Sequence, residues 1–302
     1  MTAAVITSRE AVLLCTAFAD RLATAYDVRA LVIKGHALEE QGLRGLHYSV
    51  DVDLLVDPSA YDRFLGLLAE HGWKPMTPST APSIIERHAV TVLHESWPIS
   101  IDVHSRFPGF LTDPQAVFDE LWRRRTSARV AGVEVAVPDR VGHAAVVALH
   151  YLRDPRSGKA RHSLPDLVER VRTTFTEADR QELVALAADT GASQSLGDFL
   201  VDVGATHRDV TEPEALAAWR LRTHVGGSAA WTVGLSSLPF RRRPAEIWHA
   251  VMLSREEIAA YHQADGESVG RARRRRLRRG LRQVPVAVVA VSRFKHQSLR
   301  GL

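Results

Sequence analysis

The sequence predicts an α/β (α+β) front part followed by a mostly helical rear part, with the division near residue 138. Three observations carry this. Before residue 138, short runs with the two-residue period of strands alternate with segments of helical spacing. After it, "DRVGHAAVVALHYLRD", "LPDLVERVRTTF", "EADRQELVALAADTG" and "EPEALAAWRLRTHV" all follow helical spacing. The chain has 302 residues, 45% hydrophobic and 25% charged, enough for one large globular domain or two ordinary ones. Residues 1–138 and 139–302 are therefore the expected domains.

The opening "MTAAVITSREAVLLCTAFADRLATAYDV" breaks its apolar positions with Arg, Glu and Asp and lacks a basic leading region, so it reads as an amphipathic helix rather than a signal peptide. "RALVIK" (Arg29 to Lys34) is a strand, and "GHALEEQGLRG" turns into a short helix that ends near a glycine. "VDVDLLV" has strand period. Pro58 opens a helix whose Tyr61, Phe64, Leu65 and Leu68 share a face and which stops at Gly72. "SIIERHAVTVLHE" and "WPISIDVHSRF" are two strands joined by a turn around Ser96 to Pro98. "VFDELWRRR" is helical, and "ARVAGVEVAVP" is a hairpin turning at Gly132.

No uninterrupted apolar run approaches the roughly 18 residues of a membrane-spanning helix. The one cysteine, Cys15, rules out an internal disulfide and a cysteine metal site, and a reducing cytoplasm is the expected location. The formal net charge is +4, but "GRARRRRLRRGLR" (Gly270 to Arg282) holds eight arginines, and subtracting them from +4 leaves −4 for the rest. The basic balance belongs to one segment.

The chemistry-bearing stretch is "HYSVDVDLLVDP". Strand residues two apart point to one face, so Asp51 and Asp53 project together while Val52, Leu54 and Val56 turn to a core. Two adjacent carboxylates repel, and a divalent cation resolves the repulsion. Mg²⁺ prefers one or two carboxylates with water and substrate phosphates. Asp102 in "SIDVHSRF" offers a third carboxylate on another alternating strand. Upstream, "LVIKGHAL" sets Lys34 and Gly35 between a strand and a helix start, where backbone can approach a phosphate and a helix N-terminus favours an anion. Asp-x-Asp alone fits an ordinary sheet edge; the ordered set is more specific.

That set resembles the nucleotidyltransferase superfamily related to DNA polymerase β, and within it the bacterial "uncharacterised nucleotidyltransferase" family. The residues that carry the resemblance are "KGHAL" (Lys34 to Leu38), "DVDLLV" (Asp51 to Val56), "IDVH" (Ile101 to His104) and the rear segment "VEVAVPDRVGHAAVVALHYLRD" followed by "LPDLVERV". It covers roughly residues 25 to 175. It implies a polymerase-β-like mixed-sheet core and Mg²⁺- or Mn²⁺-dependent transfer of a nucleoside monophosphate from an NTP such as ATP, with release of pyrophosphate. Asp51 and Asp53 would hold metal against the triphosphate. Asp102 would hold a second ion and help deprotonate the attacking hydroxyl. Gly35 and His36 would face the phosphates, with Lys34 as a point charge. His47 stands where the family has an arginine, which implies either a weaker hold on phosphate or Arg44, three residues earlier, as its substitute.

Several residues have competing readings. His104 shares the face of Asp102 and is either a ligand or a structural hydrogen-bonding group. His143 and His150 share a helix face as packing or substrate-facing residues, His88 and His94 lie on a strand without metal-site spacing, Asp57 caps the helix after Pro58, and Asp166 is a helix-face ion pair or a family acidic position. The arginine tract is a solvated helix face or an anion-binding surface. The acceptor is open between a small natural product, a peptide and RNA. The rival class is a non-catalytic module of the same fold that contacts RNA or a protein partner through the arginine tract.

Overall fold

A five-stranded mixed sheet, β1-β2-β5-β4-β3, organises the front of the chain in the computed structural model, and a separate hairpin, β6-β7, follows it. Described are residues 6–47, 49–76, 88–155, 157–205, 216, 219, 220, 223, 239–252, 270, 271, 273–275, 277 and 278. Helix α1 (Ser8–Ala25) starts at a capping box in which Thr7 and Glu10 exchange hydrogen bonds. Strand β1 (Ala30–Val32) runs antiparallel to β2 (Asp51–Val56). Between them lie the one-turn helix α2 (Ala37–Glu40) and two left-handed glycines, Gly35 and Gly42.

Asp57 accepts from the Ser59 backbone N–H and starts a 3-10 turn at Pro58–Ala60, which leads into α3 (Tyr61–Glu70). The expected helix from Pro58 thus begins as 3-10. Strands β3 (Lys74–Pro75), β4 (Ala89–Leu93) and β5 (Ser100–His104) complete the sheet. The expected start of the β4 strand at residues 83–87 lies outside the described residues. β5 returns parallel to β2, with Asp53 opposite Asp102 and Asp51 opposite Ser100.

One sheet face is apolar. Val32, Val52, Leu54, Val56, Ile101 and Val103 pack with Ala11, Val12, Cys15, Ala19 and Leu22 of α1 in one buried cluster. Phe64 and Trp73 are nearly fully buried there. Each such large side chain contributes about 1.5–3 kcal/mol by leaving water. The alternation of β2 that buries Val52, Leu54 and Val56 sends Asp51 and Asp53 to the other face.

Helix α4 (Pro114–Arg123) precedes the hairpin β6 (Thr126–Val130) and β7 (Val133–Val137), which turns at Gly132 as expected. β7 lies beside β1 and α1. Helices α5 (Arg140–Leu152), α6 (Gly158–Thr174), α7 (Glu177–Asp189) and α8 (Gly197–Asp202) follow, α5 packing against α6 and α7.

By contacts the chain divides into one unit of residues 1–75 with 88–216 and another of 76–87 with 217–302. The sheet, the hairpin and α1 to α8 belong to the first, so the change of texture near residue 138 falls inside it. In the second, a 3-10 turn at Phe240–Arg242 leads into α9 (Arg243–Val251), with Ile247 and Trp248 exposed. The described residues of the arginine tract are helical, and Arg271, Arg274, Arg275 and Arg278 are exposed. The helix expected at 212–225 lies mostly outside the described residues. No described helix is long and apolar enough to cross a membrane.

Candidate active site

The polar face of β2 and β5 opens into a cleft of about 360 Å³, lined among others by Lys34, Arg44, His47, Asp51, Asp53 and Asp102. Because β2 and β5 are parallel and in register at Asp53 and Asp102, the two carboxylates stand side by side on one face. Asp53, Asp102 and His104 each offer one donor atom, and these atoms lie within 4.8 Å of one another.

Asp53 is buried, yet it is held in its charged form. Burial opposes ionisation, but the hydrogen bond with His104 and the Lys34 ammonium outweigh it and hold the carboxyl well below the usual carboxylate range. Lys34 Nζ lies 2.5 Å from Asp53 Oδ1 and His104 Nε2 lies 3.2 Å from the same oxygen. An ionised carboxylate only accepts, so Nε2 carries the hydrogen of this bond. Asp102 behaves oppositely. Burial raises its pKa, the Thr91 hydroxyl at 2.6 Å opposes this, and the charges of Asp53 and Asp51 raise it further.

Asp51 lies in the same cleft but outside the three-residue group. Its Oδ1 accepts from the Ser49 hydroxyl at 2.6 Å. The turn before α2 is formed by Lys34, Gly35 and His36, with Gly35 at φ +74°. Arg44 Nη2 donates to the Gly35 carbonyl at 2.8 Å and so braces that turn. Arg44 Nε is buried without a partner. Burial pulls the Arg44 pKa down, while Tyr151, Glu39, Asp51 and Asp53 hold it up.

Gly35 and His36 line an adjoining, mostly apolar hollow of about 200 Å³, which shares Lys34, His47 and Ser49 with the acidic cleft. The His36 ring faces Glu39 and Glu40 of its own helix at 3.5 and 3.3 Å. The His47 backbone N–H donates to Glu39 at 2.8 Å.

The helical half is tied to this turn. His143 Nδ1 donates to Gln41 Oε1 at 2.7 Å, and Gln41 Nε2 donates to the Pro138 carbonyl at 3.0 Å. Burial pushes the His143 imidazole down to about 3, so it is neutral. Asp166 pairs with Arg170 at 2.9 Å across one helical turn.

Sequence reasoning did not single out Ser49, Thr91 or Arg153, and all three line the cleft. Ser49 and Thr91 are short hydroxyls whose use depends on which carboxylate stands opposite. For Arg153 there was a signal: it follows His150 by one helical turn at the end of an otherwise apolar helix.

The donor chemistry fits a divalent cation. Two carboxylates on adjacent strands, open to a polar cleft, are the ligands that Mg²⁺ and Mn²⁺ accept. His104 steadies the Asp53 carboxylate or stands as a third donor.

A family model described as uncharacterised nucleotidyltransferase matches residues 1–201. No curated protein matches the chain. Among solved structures, an antigenic nucleotidyltransferase-like protein from Paracoccidioides brasiliensis is 13% identical with a TM-score of 0.41, covering 66% of this chain and 95% of its own. The antibiotic-resistance factor ANT(2'')-Ia gives 11% and 0.41 over 65% and 97%. The lincosamide antibiotic adenylyltransferase LnuA, bound to lincomycin, gives 14% and 0.30 over 56% and 92%.

Proposed function

The chain belongs to the uncharacterised nucleotidyltransferase family, and on that premise we propose that its acidic cleft moves a nucleoside monophosphate from an NTP, ATP among them, to a hydroxyl or phosphate of an acceptor. The observation that carries this is the in-register pairing of Asp53 and Asp102 across parallel strands, beside Lys34 and the Gly35 turn. Asp53 and Asp102, with Asp51 beside them, would hold Mg²⁺ or Mn²⁺, which when bound neutralises the phosphate oxygens and favours in-line displacement.

The chain's own groups supply the rest. An acceptor hydroxyl attacks the α-phosphorus, a new P–O bond forms, and the α–β bridging P–O bond breaks, leaving pyrophosphate with the electron pair. Asp102, whose affinity for protons is raised by burial and by its acidic neighbours, accepts the hydroxyl proton. Lys34 and the backbone of the Gly35 turn face the phosphates, and Arg44 holds that turn in shape. The single cysteine, buried Cys15, suits a reducing cytoplasm, where NTP is at hand.

The test is to incubate the purified chain with each α-labelled NTP, Mg²⁺ or Mn²⁺, and panels of small hydroxylated compounds, peptides and RNA. Label transfer that is lost in Asp53→Asn supports the reading. Folded protein that neither transfers label nor binds any NTP with metal overturns it.

A further inference from the structure

Helix α5 ends at Leu152, and the next residue, Arg153, lines the acidic cleft together with His150 of the same helix. The guanidinium is half-buried, and among the described residues it makes no hydrogen bond and no ion pair. The acidic groups nearest in effect are Asp53, Asp102 and Asp154, whose charges oppose the loss of its proton that burial favours.

None of the three cleft aspartates bonds to Arg153, and Asp51 Oδ1 accepts from Ser49. Asp53 Oδ1 is taken by Lys34 and His104, and Asp102 Oδ1 by Thr91. Lys34 is bound to Asp53 and Arg44 to the Gly35 carbonyl through one nitrogen, so of these three cleft cations only Arg153 has no side-chain donor engaged among the described residues. An arginine carries five N–H donors in a rigid fork that meets phosphate oxygens two at a time. Such a group in a half-buried cleft, drawn to the carboxylates but not bonded to them, is placed for an anion that enters with its own cations.

We propose that Arg153 is a phosphate-binding residue of this cleft, taking phosphoryl oxygens of the nucleotide from the end of α5 while the Lys34–Gly35 turn takes others from the sheet. This rests on the nucleotidyl-transfer reading above. It brings the helical half into nucleotide recognition through a residue that the acidic strands and glycine turn do not include. The competing role for Arg153 is that of a counter-ion to Asp53 and Asp102 alone, and the two roles differ in sign. A phosphate ligand lost on substitution weakens nucleotide binding. A counter-ion lost on substitution strengthens metal binding and leaves nucleotide binding equal or tighter.

The full chain and its Arg153→Ala, Arg153→Gln and Arg153→Lys variants are titrated calorimetrically with the α,β-methylene analogues of ATP, GTP, CTP and UTP in the presence of Mn²⁺. Mn²⁺ alone is titrated by electron paramagnetic resonance, which reports that the carboxylates are intact. The expected result is a loss of about tenfold or more in analogue affinity for Ala and Gln, a smaller loss for Lys, and Mn²⁺ binding unchanged or tighter. Analogue binding as tight as in the unsubstituted chain, in variants that still bind Mn²⁺, overturns the proposal and leaves nucleotidyl transfer standing. Failure of the unsubstituted, folded chain to bind any of the four analogues overturns nucleotidyl transfer and this role with it.

Discussion

Lys34 and Asp53 form a close ion pair whose side chains are 15% and 5% exposed. Removing one member of a buried pair strands the other charge, at a cost of about 3 kcal/mol or more. Lys34→Ala should therefore lower the unfolding free energy by about 3 kcal/mol in chelator. Mn²⁺ should restore more of it than it adds to the unsubstituted chain, where the ammonium already occupies the oxygen that a metal needs. Urea denaturation with and without Mn²⁺ measures both, and equal metal stabilisation in the two proteins contradicts the competition. His104 acts on the same oxygen from β5. His104→Ala should weaken Mn²⁺ affinity by about 10–100-fold, read by titrating Mn²⁺ under electron paramagnetic resonance. The two aspartates were legible because strand alternation is a local rule. The role of His104 was not, because its distance to Asp53 depends on the register of β2 against β5, set by residues about fifty positions apart.

Turns and helices position these groups, and two glycines show how differently an element tolerates change. Gly35 sits at φ +74° with nothing within 4 Å of an added Cβ. Gly35→Ala meets only the backbone penalty of the left-handed region, about 1 kcal/mol, and should lower nucleotide affinity by disturbing the turn. Gly191 after α7 is also left-handed, but a Cβ there would lie 2.6 Å from Thr112 Oγ1 and 2.9 Å from its backbone nitrogen. Gly191→Ala should thus destabilise clearly more than Gly35→Ala in thermal melts and leave nucleotide affinity per folded molecule unchanged. Inside α5, His143 stays neutral because burial lowers its pKa from the ordinary 6.5 to about 3. Below pH 6.5 the unfolded chain takes up a proton that the folded chain refuses, so stability falls as pH falls through that window, by about 1.4 kcal/mol per pH unit at most. His143→Gln should flatten the slope of unfolding free energy between pH 6 and 4 by about one proton relative to the unsubstituted chain. The helical pattern of α5 was plain in the sequence. That His143 faces Gln41, the residue that ends the one-turn helix α2 about a hundred residues away, was not, since neither residue carries a signal for the other.

At the scale of the whole chain, charge and chemistry are segregated in sequence. Every described residue lining the acidic cleft lies between Lys34 and Arg153, inside the first contact unit and inside the stretch matched by the family model. The excess positive charge lies instead between Gly270 and Arg282, in the second unit. The alternating carboxylates and the arginine tract were both readable. The grouping of α5 to α8 with the sheet was not, because a change from strand to helix pattern marks a change of layer as readily as a change of domain. The segregation leads to a separable outcome. Replacing Arg273, Arg274, Arg275 and Arg278 by Gln should leave the Mn²⁺-dependent affinity for NTP analogues within about twofold, because the groups proposed to meet the phosphates all lie in the first unit. If the tract serves RNA, the same replacement should make the salt dependence of RNA binding shallower by about 3 in log–log slope, the yield of four phosphate contacts on a single strand. Calorimetry with the analogue and fluorescence anisotropy with labelled RNA across a salt series read the two quantities independently. A collapse of nucleotide affinity in that variant would mean that the cleft does not bind nucleotide by its own residues, and the catalytic role would have to be rebuilt around the arginine tract.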